Sequence, residues 1–282
     1  MYQLSKKKRI IVAFRGSVTS NDYKADFKVL MKRIRHPSDP NQHLSVHGGI
    51  YQYLHRKRKD GTSKWDVIQV YLKDIMEEHP GYALYLTGHS LGGSLAILLA
   101  FQLAATDSSS NGTDVAAGND EDKKDDAAPV QGPISVISFG PMLVGDLRFR
   151  RAFQQFEQER KLRCLCVVNE GDFIPLIPER GRPLTAYRRV GVYLRLSPGQ
   201  MVFSYAARAP SYVGAWWRDV PNQILHRIRL AHTLCCVKNF SANHNVHHYT
   251  ENIISCEADL SKVDWDLFEA GRNAGGFIYD VW

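Results

Sequence analysis

The sequence predicts an α/β fold: a mostly parallel sheet with helices on both faces. Three observations carry this. Short apolar runs alternate with segments of helical periodicity over much of the 282 residues. Several runs are apolar throughout, as strands buried on both faces are. In "LYLTGHSLGGSLAILLA" a strand-like run stops at a serine flanked by glycines, then resumes as helix formers, which is a strand–turn–helix joint.

The elements follow in order. "RIIVAF" reads as a short buried strand. "SKWDVIQVYLKDIMEEH" puts Trp65, Ile68, Leu72, Ile75 and Met76 on one stripe, so it is a helix, stopped by "HPG". "YALYLTG" is the next strand, and "LGGSLAILLAFQLA" is apolar nearly all round, as a buried helix is. "PISVISFG" is a strand. "DLRFRRAFQQFEQE" is a helix with Phe149, Phe153 and Phe156 on one face and Asp146 as its N-cap. "LRCLCVVN" is a further strand, and "AYRRVGVYLRL" is expected to add one at the sheet edge. "VPNQILHRIRLAHTLCCVKNF" is a helix candidate. The last forty or so residues carry Trp265, Phe268, Phe277, Tyr279 and Trp282, which are expected to pack on the body.

One domain spanning 1–282 is expected, interrupted at about 106–129. That stretch is rich in Ser, Gly, Asp and Ala, with Val115 its one large apolar residue. It cannot bury enough surface to offset the entropy of ordering, so it reads as a disordered acidic insertion.

Composition narrows the function. Hydrophobic residues make up 44% and charged residues 23%, as in a globular chain. No run reaches the roughly 18 apolar residues of a membrane span. The basic N-terminal cluster precedes too short an apolar run for a secretory signal. Five cysteines form no disulfide framework. A cytoplasmic chain, or one peripheral to membranes, is the expectation. The net charge is +7, with clusters at residues 6–9 and 55–60. These read as solvated faces or as contacts to an anionic surface. Nucleic acid is not expected, because basic and aromatic residues do not interleave and no metal finger is spaced for it.

The chemistry centres on Gly88-His89-Ser90-Leu91-Gly92. In a strand–turn–helix setting this G-x-S-x-G forms a nucleophile elbow: the serine sits strained on a tight turn, its hydroxyl projecting from the strand end. The helix start then offers N–H groups and a positive dipole to a developing oxyanion. Without those partners it would be a glycine-packed joint with an idle serine. A serine nucleophile needs a base, and the base an orienting carboxylate. Asp172 in "CVVNEGDFIPLIP" stands just past a strand, with Glu170 as its competitor. His244, His247 and His248 lie in the expected loop "NFSANHNVHHYTEN", whereas His226 and His232 fall in the candidate helix. Spacing alone does not choose among the loop histidines.

Several ordered motifs together resemble the class 3 lipases, fungal-type α/β-hydrolases that include plant phospholipases A1. They run from "IIVAFRGSVTSNDYKADF" through "VHGGIYQYL", "YLTGHSLGGSLAILLA", "ISFGPMLVGDLRF" and "VVNEGDFIPLIP" to "HNVHHY". The resemblance implies an α/β-hydrolase fold whose N-terminal part is missing, which would expose a sheet edge. It implies Ser90 as nucleophile, and Asp172 as acid through Asn169, Asp172 and Pro175. It implies His244 as base through the His-x-x-x-x-Tyr that ends at Tyr249, with His247 as second choice. Ser17 and the Leu91 N–H would form the oxyanion hole, 18–27 would stand where relatives carry a lid, and His47 would shape the site edge. Met142 and Leu143 replace the family's Pro and Arg, a departure in strand-end packing.

The implied activity is hydrolysis of acylglycerol or phospholipid acyl esters. The competing readings are a silent lipase-fold scaffold and an esterase for non-lipid esters such as feruloyl esters. No cofactor or metal is expected, since all the required groups are protein groups. A lipid ester is the expected partner, with contact to a membrane or lipid-droplet surface. Trp216 and Trp217 would meet that surface or line the core.

Overall fold

A computed structural model of the chain describes residues 2–5, 8–16, 31–36, 39–109, 133–172, 174–176, 187–205 and 243–263. The apolar runs pair into one seven-stranded sheet. Its order is β1 (Tyr2–Ser5), β2 (Arg9–Phe14), β5 (Ala83–His89), β6 (Ile134–Phe139), β7 (Leu162–Asn169), β8 (Val192–Ser197) and β9 (Gln200–Tyr205). From β2 to β8 the pairing is parallel. The register aligns the strand ends: Phe14 pairs with Gly88, His89 with Phe139, and Phe139 with Val167. The residues that leave these strands are therefore delivered to one edge of the molecule. A separate hairpin pairs β3 (Met31–His36) with β4 (Asp39–His47).

The helices are α1 (Gly48–His55), α2 (Lys64–Glu78), α3 (Leu91–Ser109), α4 (Leu147–Gln158), α5 (Val246–Ser255) and α6 (Glu257–Leu260). Helix α3 packs on β5 and β6, and Leu95 to Ala100 are all buried. Its Phe101 meets Phe149, Phe153 and Phe156 of α4 at ring separations of 4.6, 6.3 and 5.4 Å. Each fully buried aromatic of this kind stabilises by roughly 2–3 kcal/mol. The expected stripe on α2 buries Trp65, Leu72 and Ile75. Ser63 and Asp66 close a reciprocal capping box at its start, satisfying two N–H groups that would otherwise lack partners. Asp146 caps α4, accepting from the Phe149 N–H at 2.8 Å.

Some expectations are corrected. The "AYRRVGVYLRL" strand is interior, between β7 and β9. Pro198-Gly199, with Gly199 at φ 68°, turns the chain back, and β9 takes the edge. β9 buries Met201 and Phe203 and exposes Val202, the alternation of a strand covered on one side. At the other end β1 pairs antiparallel with β2 and forms that edge of the sheet. Helix α3 runs to Ser109, past the expected start of the acidic insertion at 106; the Thr106 hydroxyl donates to the Leu103 carbonyl within its last turns. Residues 246–255 are helical rather than loop. The remaining insertion at 110–129, the segment 18–27, the helix candidate at 220–240, Trp216, Trp217, Trp265, Phe268, Phe277, Tyr279 and Trp282 lie outside the described residues.

Candidate active site

Ser90 joins β5 to α3 with φ at 59°, the left-handed region. A non-glycine residue there costs about 1–3 kcal/mol and persists only where its surroundings hold it. The Ser90 N–H donates to the Phe139 carbonyl at 2.9 Å, tying the turn to the end of β6. Its own carbonyl accepts from the Ser94 N–H at 3.1 Å, which begins the helix. The glycines permit the closeness of the turn. A Cβ on Gly88 would strike the backbone of Gly92, and one on Gly92 would strike the Phe14 carbonyl at the end of β2. Leu91 is the first residue of α3, so its N–H is among those a helix start leaves unpaired. Met142 and Leu143, the departures from the family pattern, are buried, and the Met142 carbonyl accepts from the Ser94 hydroxyl at 3.3 Å.

The acid and the histidine arise far apart in sequence. Asp172 follows β7, and its carboxylate is buried. Its Oδ2 receives His244 Nδ1 at 2.8 Å, across 72 residues, and the Tyr249 hydroxyl at 2.5 Å. Oδ1 receives the Ile174 N–H at 2.9 Å. Asn169 ties the two segments. Its Nδ2 donates to the Asn243 carbonyl at 3.2 Å, its Oδ1 accepts from Asn252 Nδ2 at 3.0 Å, and its N–H donates to the Tyr249 hydroxyl at 3.2 Å. One asparagine thus holds both the turn bearing His244 and helix α5 behind it. Burial first, and then the Asp172 carboxylate, push the Tyr249 phenol far above its ordinary range, so it stays a proton donor.

The two halves meet at the strand ends. The His89 ring lies 4.4 Å from the His244 ring and 5.6 Å from that of Tyr249. A Cβ on Gly140, just past β6, would stand 2.7 Å from the Tyr249 hydroxyl, 2.9 Å from Asp172 Oδ2 and 3.0 Å from His244 Cε1. His244 Nε2 is buried and, among the described residues, has no hydrogen-bond partner, so it is not bonded to the Ser90 hydroxyl. Burial, followed by the adjacent His244, lowers His89 to about 4, which keeps it neutral at ordinary pH.

Of the expected residues, Ser90, Leu91, Asp172 and His244 come together at this edge; Ser17 lies outside the described residues, as do His226 and His232. Glu170 is exposed on the turn. His247 and His248 stand in the first turn of α5 beside Glu251, at 3.5 and 3.4 Å, and the His247 side chain is 80% exposed. His47 is buried and caps α1, accepting from the Ile50 N–H at 3.4 Å; burial lowers it to about 4. Residues not singled out from the sequence also contribute: Asn252, Gly140 and His89. Asn252 stands three positions after Tyr249, hence on the same helix face, and that spacing was the available signal. Among the described residues no group of three or more His, Cys, Asp or Glu side chains could hold a metal, and no helix is long and apolar enough to cross a membrane.

The chain as a whole resembles known proteins. The family model for lipase (class 3) matches residues 11–181. Phospholipase A1-II 7 of Oryza sativa subsp. indica is 30% identical over 205 residues, covering 68% of this chain and 45% of that protein. The chloroplastic phospholipase A1-Igamma2 of Arabidopsis thaliana is 29% identical over 185 residues, 61% of this chain and 31% of that protein. The chain therefore spans less than half the length of either plant relative. A triacylglycerol lipase from Penicillium expansum aligns with a TM-score of 0.50 at 20% identity, over 76% of this chain and 71% of that one, a likeness of fold. The family model covers more than half of the sequence, and the chain belongs to the class 3 lipase family, with its α/β-hydrolase fold.

Proposed function

We propose that this class 3 lipase family member hydrolyses carboxylic esters of lipids, the acyl esters of acylglycerols or phospholipids, through Ser90, His244 and Asp172. The observation that carries the reading is the buried Asp172–His244 hydrogen bond at the strand end where Ser90 stands strained before a helix. A carboxylate on Nδ1 leaves Nε2 as the nitrogen that takes a proton, and among the described residues Nε2 is the one without a partner.

Ser90 Oγ attacks the ester carbonyl carbon as His244 Nε2 takes the hydroxyl proton. The carbonyl oxygen becomes an oxyanion, received by the Leu91 N–H and by Ser17. The carbon–oxygen bond to the alcohol then breaks, and His244 returns the proton to that alcohol. Water, deprotonated by His244, attacks the acyl-enzyme; the Ser90 ester breaks, releasing the fatty acid and restoring the serine proton. Asp172 accepts from Nδ1, fixing the imidazole tautomer and favouring the imidazolium in each transition state. The names of the plant and fungal relatives support lipid esters as the substrate class.

A fluorophosphonate probe is expected to label the parent and not Ser90→Ala. The parent is expected to hydrolyse a p-nitrophenyl acyl ester, and Ser90→Ala to lose about 10⁴-fold or more in kcat. A folded parent with neither labelling nor hydrolysis refutes the reading. A panel of mono-, di- and triacylglycerols and phospholipids then sets the substrate.

A further inference from the structure

The basic cluster most conspicuous in the sequence, at residues 55–60, is partly occupied with its own surroundings. Lys57 is 2.8 Å from Asp66, and Lys64 just beyond lies over the Tyr53 ring at 3.1 Å. A different basic face is assembled only by folding. In the β3–β4 hairpin, Leu44 and Val46 point into the core. The register pairs Arg33 with Ser45 and Arg35 with His43, so these four residues lie on the opposite, outward face. Arg33 and Arg35 are exposed. Helix α4 then brings exposed Arg148 to the same place, its Nη1 donating to the His43 carbonyl at 3.1 Å across 105 residues.

Among the described residues, none of these three arginines lies within ion-pair distance of a carboxylate. The hairpin's acidic residue, Asp39, receives Asn41 and Gln42 within its own turn, and Asp146 is engaged in capping α4. A surface shaped for solubility intersperses both signs. This one holds like charges two residues apart on a strand, an arrangement that is repulsive in water and relieved by an anionic surface.

The face also has a relation to the candidate site. The His47 N–H at the end of β4 donates to the Val144 carbonyl at 2.7 Å, and Val46 bridges Gly145. The stretch 140–145 leaves the same strand end at which Gly140 meets Asp172 and His244. The hairpin is thus rooted beside the chemistry.

We propose that Arg33, Arg35 and Arg148 form a docking face for the anionic headgroups of a lipid surface. The choice of a lipid partner rests on the lipid-ester reading above; the charge complementarity rests on the hairpin alone. Arginine suits the role, since its planar fork of donors matches phosphate oxygens and its charge is permanent. Each cation near an anionic bilayer strengthens binding by about fivefold, an effect that salt screens.

The test is partition of the full chain into vesicles of phosphatidylcholine, with and without phosphatidylglycerol, at about 0.1 M salt. Binding is expected only with the anionic lipid, weakening as salt rises. The combined variant Arg33→Gln, Arg35→Gln, Arg148→Gln is expected to bind about a hundredfold more weakly. A second variant, Arg56→Gln, Arg58→Gln, Lys59→Gln, removes the same charge from the other cluster and is expected to lose less than about threefold. If the triple variant does not fold, Arg33→Gln with Arg35→Gln, both on an exposed strand face, is expected to lose about thirtyfold. Equal losses from both clusters, or equal binding to neutral vesicles, overturns the proposal. Hydrolysis of a soluble p-nitrophenyl ester is read in parallel and is expected to be unchanged by the arginine variants. Failure of hydrolysis in the parent refutes the enzymatic reading and leaves the vesicle result standing by itself.

Discussion

The two halves of the candidate site are built in opposite ways. The elbow, from Gly88 to Ser94, draws its groups from seven consecutive residues and is held by backbone: Ser90 bonds Phe139 and Ser94, and two glycines let strand and helix touch. The acid–histidine half draws on residues 72 to 83 positions apart and is held by side chains: Asp172 with His244 and Tyr249, Asn169 with Asn252. A backbone device tolerates almost no added atom, because the chain itself is in the way. A side-chain network tolerates loss in steps, because each hydrogen bond can be removed separately, at the cost of leaving its partner unsatisfied.

Four substitutions test that contrast. The largest effect is expected from Asp172→Asn, which keeps the shape but reverses what Nδ1 is offered. The imidazole then favours the wrong tautomer, and kcat on a p-nitrophenyl ester is expected to fall about 10⁴-fold with KM little changed. A fall below tenfold would show that the carboxylate is not orienting the base. Next is Gly92→Ala in the elbow, where the new Cβ meets the Phe14 carbonyl. A loss of about 3 kcal/mol in denaturant unfolding is expected. An unchanged midpoint would show that the joint can open, and the contrast would fail.

The third lies where the halves touch. Burial, and then the adjacent His244, lower His89 in the folded protein to about 4 from its ordinary 6.5. As pH falls below about 6.5 the unfolded chain takes up a proton that the folded chain refuses. This contribution is therefore complete above that pH and lost progressively down to about 4. His89→Phe keeps a ring against His244 and removes the titration. Between pH 7 and 4 it is expected to lose about 2 kcal/mol less stability than the parent, allowing for partial exposure. Parallel stability profiles would remove His89 as the cause. The smallest effect belongs to Tyr249→Phe, which deprives Asp172 of one donor and the Asn169 N–H of its acceptor. About 1–2 kcal/mol of stability and roughly tenfold in kcat are expected to go. An effect as large as that of Asp172→Asn would mean that the network behaves as a single unit.

The contrast also explains what was legible in advance. Strands β2, β5, β6 and β7 and helices α2, α3 and α4 could be read because their signals are local: continuous apolar runs, stripes at helical spacing, and caps. The elbow was legible for the same reason. Asp172 and His244 needed the order of several motifs, since Glu170 competed with Asp172 and spacing alone did not choose among His244, His247 and His248. What separated them in the fold is burial. Asp172 and His244 are sheltered by Tyr249 and Asn169, whereas Glu170 and His247 stand in solvent.

The β3–β4 hairpin, strand β9 and helix α5 were missed or misplaced. Their patterns are short or one-sided and acquire meaning only against a neighbour. By itself, then, the sequence determined the parallel core, the strained serine at a helix start and the family to which both point, because backbone sterics and hydrophobic periodicity act within a few residues. The tertiary structure decided what spacing left open, namely which loop histidine reaches Asp172, and it alone decided which arginines share a face. Hydrogen bonds and electrostatic fields depend on distances of a few ångströms, and residues 72 or 105 positions apart acquire such distances only once the sheet has closed the chain upon itself.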